Sequence, residues 1–265
     1  MSEPSAPAPT RDGATVMLVR DGDHANDPLE VFMLRRHPST AFGSVHVFPG
    51  GVVDPDDHDL ALDERCPGLD DAAASAQLGL ADGGRAYWVA AVREAFEEAG
   101  VLLARTATGD YVRFDDHPEV DARFEAHRRA LNAGERAFLD VLATEDLCLA
   151  LGDVHYVAHW ITPESEPKRF DTRFFLARAP EGQAYSHDDG EIIASEWVRP
   201  ADALQRHRAG DFAMIGPTIV SLRDLARFAT CDDLFRQRSP ATHTATDRSS
   251  GGAPALAASS DGDVA

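Results

Sequence analysis

Lysine is almost missing from this chain: Lys168 is the single one, so arginine carries nearly all of its positive charge. Positive charge is itself scarce, with 25 Lys+Arg against 45 Asp+Glu and a formal net charge of −20. That balance argues against a surface for nucleic-acid polymers or anionic membranes, since either partner demands a basic field. Cysteine is equally thin. Cys66, Cys148 and Cys231 stand far apart with no CxxC or Cys/His spacing, so neither a disulfide framework nor a zinc site is indicated, and buried thiols in a reducing compartment are expected. No apolar run approaches the roughly 18 residues a membrane helix needs, and the first residues lack the basic-then-apolar layout of a signal peptide. A cytoplasmic protein is the expectation.

What is present is a core-forming middle between two poor ends. Residues 1–12 and 239–265 are rich in Ser, Ala, Pro and Gly and hold no aromatic residue; they cannot bury enough apolar area to offset ordering, and both are expected to be disordered tails. The 43% hydrophobic content is enough for one sizeable domain over 13–238.

Within it, ATVMLVR (14–20) and LEVFMLRR (29–36) read as β-strands separated by the turn-like DGDHANDP. HVFPGG (46–51) reads as a short strand ending in a Pro-Gly-Gly turn, where backbone can approach a ligand. From Val52 to Arg85 there are nine acidic residues and two arginines, which reads as a solvated surface insertion, near 57–84, with a helical piece around 70–80. YWVAAVREAFEEA (87–99), closed by Gly100, is a helix with a C-terminal glycine. Residues 119–151 carry helical spacing broken at 132–134, as a second insertion near 115–152 whose apolar residues serve a dimer or cover the core. Strands are expected again at 153–162, 170–178 and 191–198, and helices at 200–208 and 218–228.

The chemistry concentrates on the helix at 87–99. At about 100° per residue, Trp88, Val92, Ala95, Phe96 and Ala99 share one face while Glu94, Glu97 and Glu98 project from the other. Like charges at these spacings repel by roughly 0.2–0.5 kcal/mol per pair. Arg93, four residues before Glu97, offsets part of this; a divalent cation would offset the rest, and hard carboxylate oxygens suit Mg²⁺ or Mn²⁺.

The string resembles the signature of the Nudix hydrolases. Gly51 matches its first glycine, and Arg93, Glu94, Ala95, Glu97, Glu98, Gly100 and Val101 match its second half. Two departures stand out: Asp57 occupies the place of a glutamate, and Arg93 comes 42 residues after Gly51, an insertion of 28 relative to that signature. HVFPGG, the long insertion and AAVREAFEEAGVLL resemble the coenzyme A diphosphatase-like branch. That resemblance implies an α+β Nudix fold, a mixed β-sheet sandwiched between α-helices. It also implies metal-dependent hydrolysis of a diphosphate in a nucleoside diphosphate derivative, coenzyme A or acyl-CoA first, giving 3′,5′-ADP and phosphopantetheine. ADP-ribose or NADH is the alternative substrate. A non-catalytic nucleotide-sensing module is the alternative of another class, although such modules typically lose glutamates that are all present here.

Carried over residue by residue, Glu94, Glu97 and Glu98 would hold the metal, with Glu98 also a candidate base. Arg93 would orient the glutamates, and Gly50 and Gly51 would form the loop beside substrate. Arg35, thirteen residues before Phe48 as in the coenzyme A pattern, would contact phosphate. Glu191, in the loop 187–191, is the external candidate for general base. The expected partner is a small nucleoside diphosphate, and a homodimer is one expected assembly. The branch's peroxisomal tripeptide is not found at the end, Asp-Val-Ala, which again favours the cytoplasm.

Overall fold

The apolar run beginning at Ala14 turns out to be the spine of the sheet. The computed structural model describes residues 8–22, 28–38, 44–114, 117–183 and 192–237. Among these the strands are β1 (Thr10–Arg20), β2 (Glu30–Arg36), β3 (His46–Val47), β4 (Gly50–Val52), β5 (Ala104–Arg105), β6 (Cys148–Leu149), β7 (His155–Ile161), β8 (Arg169–Arg178) and β9 (Ile192–Val198). The helices are α1 (Asp71–Leu78), α2 (Arg85–Ala99), α3 (Pro118–Asn132), α4 (Phe138–Thr144), α5 (Pro200–Ala209), α6 (Gly216–Leu225) and α7 (Cys231–Gln237). None of the helices is long and apolar enough to cross a membrane.

β1 pairs parallel with β8 from Thr10↔Arg169 to Val19↔Arg178. Its other edge is shared: Gly13 to Thr15 pair antiparallel with β4, and Val19 and Arg20 with β2. The order is β3-β2-β1-β8-β7, with β4 on β1 and β9 on β2, so the sheet is mixed as expected.

Alternation along the strands divides the core into two layers. Ala14, Val16, Leu18, Phe32, Leu34, Phe175 and Ala177 face α2 and the two insertions. Met17, Val19, Val31, Met33, Phe174 and Leu176 face the cluster that α5, α6 and α7 complete with Leu204, Leu222 and Leu234. A sheet covered on both faces by helices explains why its strands read as continuous apolar runs.

Several expectations need correcting. Thr10 to Asp12, assigned to the tail, extend β1 and pair with Arg169 to Asp171. Gly50 and Gly51 are not a free turn but belong to β4. The first insertion is not merely solvated surface: its helix is α1, but Leu62, Cys66, Leu69, Ala74 and Leu78 are buried in the main core, each large side chain contributing about 1.5–3 kcal/mol before entropy. In the second, Phe124, Leu131, Phe138, Val141 and Leu142 are buried within the same core, so the apolar residues cited for a homodimer are already spent on covering the chain's own sheet. Of the thiols, Cys66 and Cys231 are buried and Cys148 only partly.

Candidate active site

α2 is rich in alanine on the surface it presents to β1 and β4, and it ends where Gly100 takes a left-handed conformation, φ 67°. There the Gly100 N–H donates to the Phe96 carbonyl and the Val101 N–H to the Ala95 carbonyl, a glycine stop that sets the last turn and the glutamates it carries. The expected division into a packed and a displayed face is not what forms. Arg93 and Glu98 are buried together with the apolar residues, because β4 and the first insertion close over the charged side.

Arg93 is the hub. Its Nε and Nη2 donate to Oδ1 and Oδ2 of Asp57, both at 2.9 Å, its Nη1 to Glu94 Oε1 at 2.9 Å and Glu97 Oε2 at 3.0 Å, and its Nη2 also to the Val52 carbonyl at 2.9 Å. The side-on pair with Asp57 is the strong, geometrically specific kind of ion pair. Asp57 reaches despite being one methylene shorter than glutamate because a 3₁₀ turn, Pro55–His58, carries its backbone inward, and the Asp54 N–H donates to Asp57 Oδ2 at 2.8 Å. Asp57 is 2% exposed.

The glycines of β4 admit the carboxylates. A Cβ on Gly51 would lie 2.3 Å from Glu94 Oε1, and one on Gly50 2.4 Å from the Ala14 carbonyl oxygen and 2.6 Å from Thr15 Cα. Any side chain at 50 would collide with β1 backbone; one at 51 would displace the Glu94 carboxylate. The Gly50 N–H donates to Glu98 Oε2 at 2.9 Å, and Arg36 Nη1 lies 3.6 Å from Glu98 Oε1. Thus Glu94, Glu97, Glu98, Arg93, Gly50 and Gly51 are brought together.

Residues 69–225 match the NUDT19 Nudix domain family. The chain belongs to that family. It is 28% identical over 240 residues to the acyl-coenzyme A diphosphatase NUDT19 of Homo sapiens, covering 78% of this chain and 63% of that protein. The Gallus gallus protein of the same name is 30% identical over 271 residues, covering 85% and 70%. The chain therefore spans less than two thirds of the human relative's length. Among solved structures, a NUDIX hydrolase from Alicyclobacillus acidocaldarius superposes with a TM-score of 0.66 at 28% identity, covering 86% of this chain and 96% of that one.

One expected Nudix site residue does not join the cluster. Arg35 is exposed on β2. Phe32 and Leu34 point to the α2 layer and Val31 and Met33 to the opposite one, so alternation sends Arg35 to the side where His46 feels its charge and brings Arg36 to Glu98. Glu191 and the loop before it lie outside the described residues. His46 is packed, its ring stacked on Phe212 at 3.5 Å and its pKa lowered first by burial. Arg36 was missed although the period-two pattern from Phe32 and Leu34 points to it. Arg128, also missed, sits between Phe124 and Leu131 on the buried stripe of α3, and a charge on such a stripe is the signal that could have revealed it.

The Nudix box carries more buried negative charge than it neutralises. Burial pushes Glu94 well above the ordinary carboxylate range, against the pull of Arg93 and with a further push from Glu97; it raises Glu97 in the same way. Asp57 is likewise raised by burial against Arg93, whereas Arg93, also penalised by burial, is held charged by its several carboxylate partners. Asp57, Glu94 and Glu97 therefore share a single guanidinium, and a hard divalent cation fits the deficit and the all-oxygen donor set. Among the described residues no three acidic, histidine or cysteine side chains converge as a ready-made metal cage: Arg93 and the Gly50 amide gather these carboxylates. Among those residues, too, no hydrogen bond reaches Glu94 Oε2 or Glu97 Oε1.

Proposed function

We propose that the protein hydrolyses the diphosphate bond of coenzyme A or an acyl-CoA, releasing 3′,5′-ADP and phosphopantetheine, with Mg²⁺ or Mn²⁺ held by Glu94, Glu97 and Glu98. The observation that carries this is the gathering of Glu94 and Glu97 on Arg93 and of Glu98 on the Gly50 N–H of β4. The acyl-coenzyme A diphosphatase name of the human and chicken relatives supports the substrate. When bound, the divalent ion neutralises diphosphate oxygens and lowers the pKa of a water so that hydroxide exists near neutral pH.

The chain's own residues supply placement. Arg93 keeps Glu94 and Glu97 in one orientation, and Asp57 keeps Arg93 there. Glu98, held by the Gly50 N–H, is the residue we assign to accept the proton of the attacking water, with Glu191 as the other candidate. Arg36, rather than Arg35, lies beside that carboxylate and is suited to a substrate phosphate. In this reading the protein acts in the cytoplasm on a small nucleotide, and the net charge of −20 leaves no basic field for a nucleic-acid polymer.

The test is incubation of the purified chain with Mg²⁺ or Mn²⁺ and a panel of CoA, acyl-CoA, ADP-ribose, NADH and nucleoside triphosphates. Metal-dependent appearance of 3′,5′-ADP with CoA or acyl-CoA is expected. Faster turnover of ADP-ribose or NADH would transfer the assignment to them, and binding without turnover of any substrate would make the protein a sensor.

A further inference from the structure

The glutamates of the box occupy the C-terminal turns of α2, the end at which a helix dipole concentrates negative charge. That is the unfavourable end for carboxylates, and α2 has no basic residue in its own last turn. The compensating cation comes from another element. Arg128 of α3, only 2% exposed, donates from Nε to the Glu97 main-chain carbonyl at 2.9 Å and from Nη2 to that of Glu98 at 3.1 Å. Asn132, four residues further along α3, donates to the Glu97 carbonyl at 3.3 Å. Glu97 and Glu98 lie among the last four residues of α2, whose carbonyls have no partner within the helix. A guanidinium this deeply buried is costly unless its donors are satisfied. Among its partners are the backbone carbonyls of two successive glutamates, with Glu125 at 3.5 Å as a further one.

We infer that Arg128 is a positioning residue for the metal-binding glutamates. The second insertion uses it to clamp the backbone from which Glu97 and Glu98 project and to cancel the charge at the end of the helix. This rests on the reading that the box glutamates hold a divalent cation. Groups that orient metal ligands from behind typically change metal affinity or activity by 10–100-fold when removed.

The test uses the full chain and reads Mn²⁺ affinity directly, from the electron paramagnetic resonance signal of the free ion, alongside kcat, KM and thermal unfolding. Arg128→Ala should bind Mn²⁺ about tenfold more weakly and lose about tenfold in kcat, with KM for the nucleotide changed less than about twofold. Arg128→Lys should recover part of the affinity, since it keeps the charge but cannot fork across two carbonyls. Arg123→Ala is the control. It removes the bidentate pair with Glu145, at 2.8 and 3.0 Å, elsewhere in the same insertion, and should lower the melting temperature while leaving Mn²⁺ affinity as in the parent.

Unchanged Mn²⁺ binding in folded Arg128→Ala overturns the inference. So does tighter binding, which would make the guanidinium only a repelling charge, and so does an equal loss in Arg123→Ala. Should Arg128→Ala not fold, Arg128→Lys against Arg123→Ala makes the same comparison. If the parent binds Mn²⁺ but hydrolyses nothing, the proposed activity fails while the affinities still decide the role of Arg128; if the parent binds no Mn²⁺, the inference fails with it.

Discussion

The two insertions reach the same turn of α2 by different chemistry. The first, between β4 and α2, sends in a carboxylate: Asp57 meets the guanidinium of Arg93, which in turn holds the side chains of Glu94 and Glu97. The second, through α3, sends in a guanidinium: Arg128 meets the main-chain carbonyls of Glu97 and Glu98. One therefore governs where the carboxylates point and the other where their backbone stands. An ion pair between buried side chains depends on both charges being present, whereas a carbonyl accepts at any pH. The contrast explains how three glutamates can be crowded at the unfavourable end of a helix without fraying it.

The contrast can be broken at the glutamate cluster itself. Glu98→Gln should lower turnover by about 10²–10⁴-fold, the usual range for loss of a proton-accepting group, while the melting temperature changes little. Full activity in that variant would remove the metal-site and base assignments together. A smaller effect is expected on the first insertion's side. Asp57→Asn keeps the shape but loses the charge facing Arg93, and should cost about 1.5–3 kcal/mol of stability, the range for a charged hydrogen bond, measured by denaturant unfolding. An unchanged midpoint would mean that Asp57 is not what holds Arg93.

The smallest effect belongs to the far end of the second insertion. Burial would raise the Glu145 carboxyl, but hydrogen bonds from Arg123 and His127 outweigh it and hold it below its ordinary value of 4.5. A folded-state value below the unfolded one means that Glu145 stabilises the fold above that pH and loses its contribution as pH falls through the folded value. Glu145→Gln should therefore melt about 2–4 °C lower than the parent near neutrality, and the gap should close in melts run progressively below pH 4.5. A gap constant with pH would assign the effect to packing instead.

Much of this arrangement was legible in the residues. α2 was visible from its apolar spacing and its terminal glycine, and β1, β2, β7 and β8 from their β-branched and aromatic runs. The first insertion was misread for a physical reason. Its acids sit at turns and caps, as Asp54, Asp59 and Asp70 do, and dominate the composition. Leu62 and Leu69, by contrast, hang from 3₁₀ turns and loops, whose spacing matches neither a helix nor a strand period. Arg35 rests on likeness to a motif, while alternation along β2 brings Arg36, one residue away and on the other face, to Glu98.

By itself the sequence determined the local pieces: a helix that must end at Gly100, glutamates set at three- and four-residue spacing on it, and a pair of glycines where backbone can approach a ligand. These follow from short-range sterics and periodicity. Only the tertiary structure decided the partners, because a hydrogen bond between residues 36 or 31 positions apart leaves no trace in local propensity. Asp57 meets Arg93, and Arg128 meets the carbonyl of Glu97, because the core packs the two insertions against α2. Burial then makes each of these polar groups costly to leave unpaired.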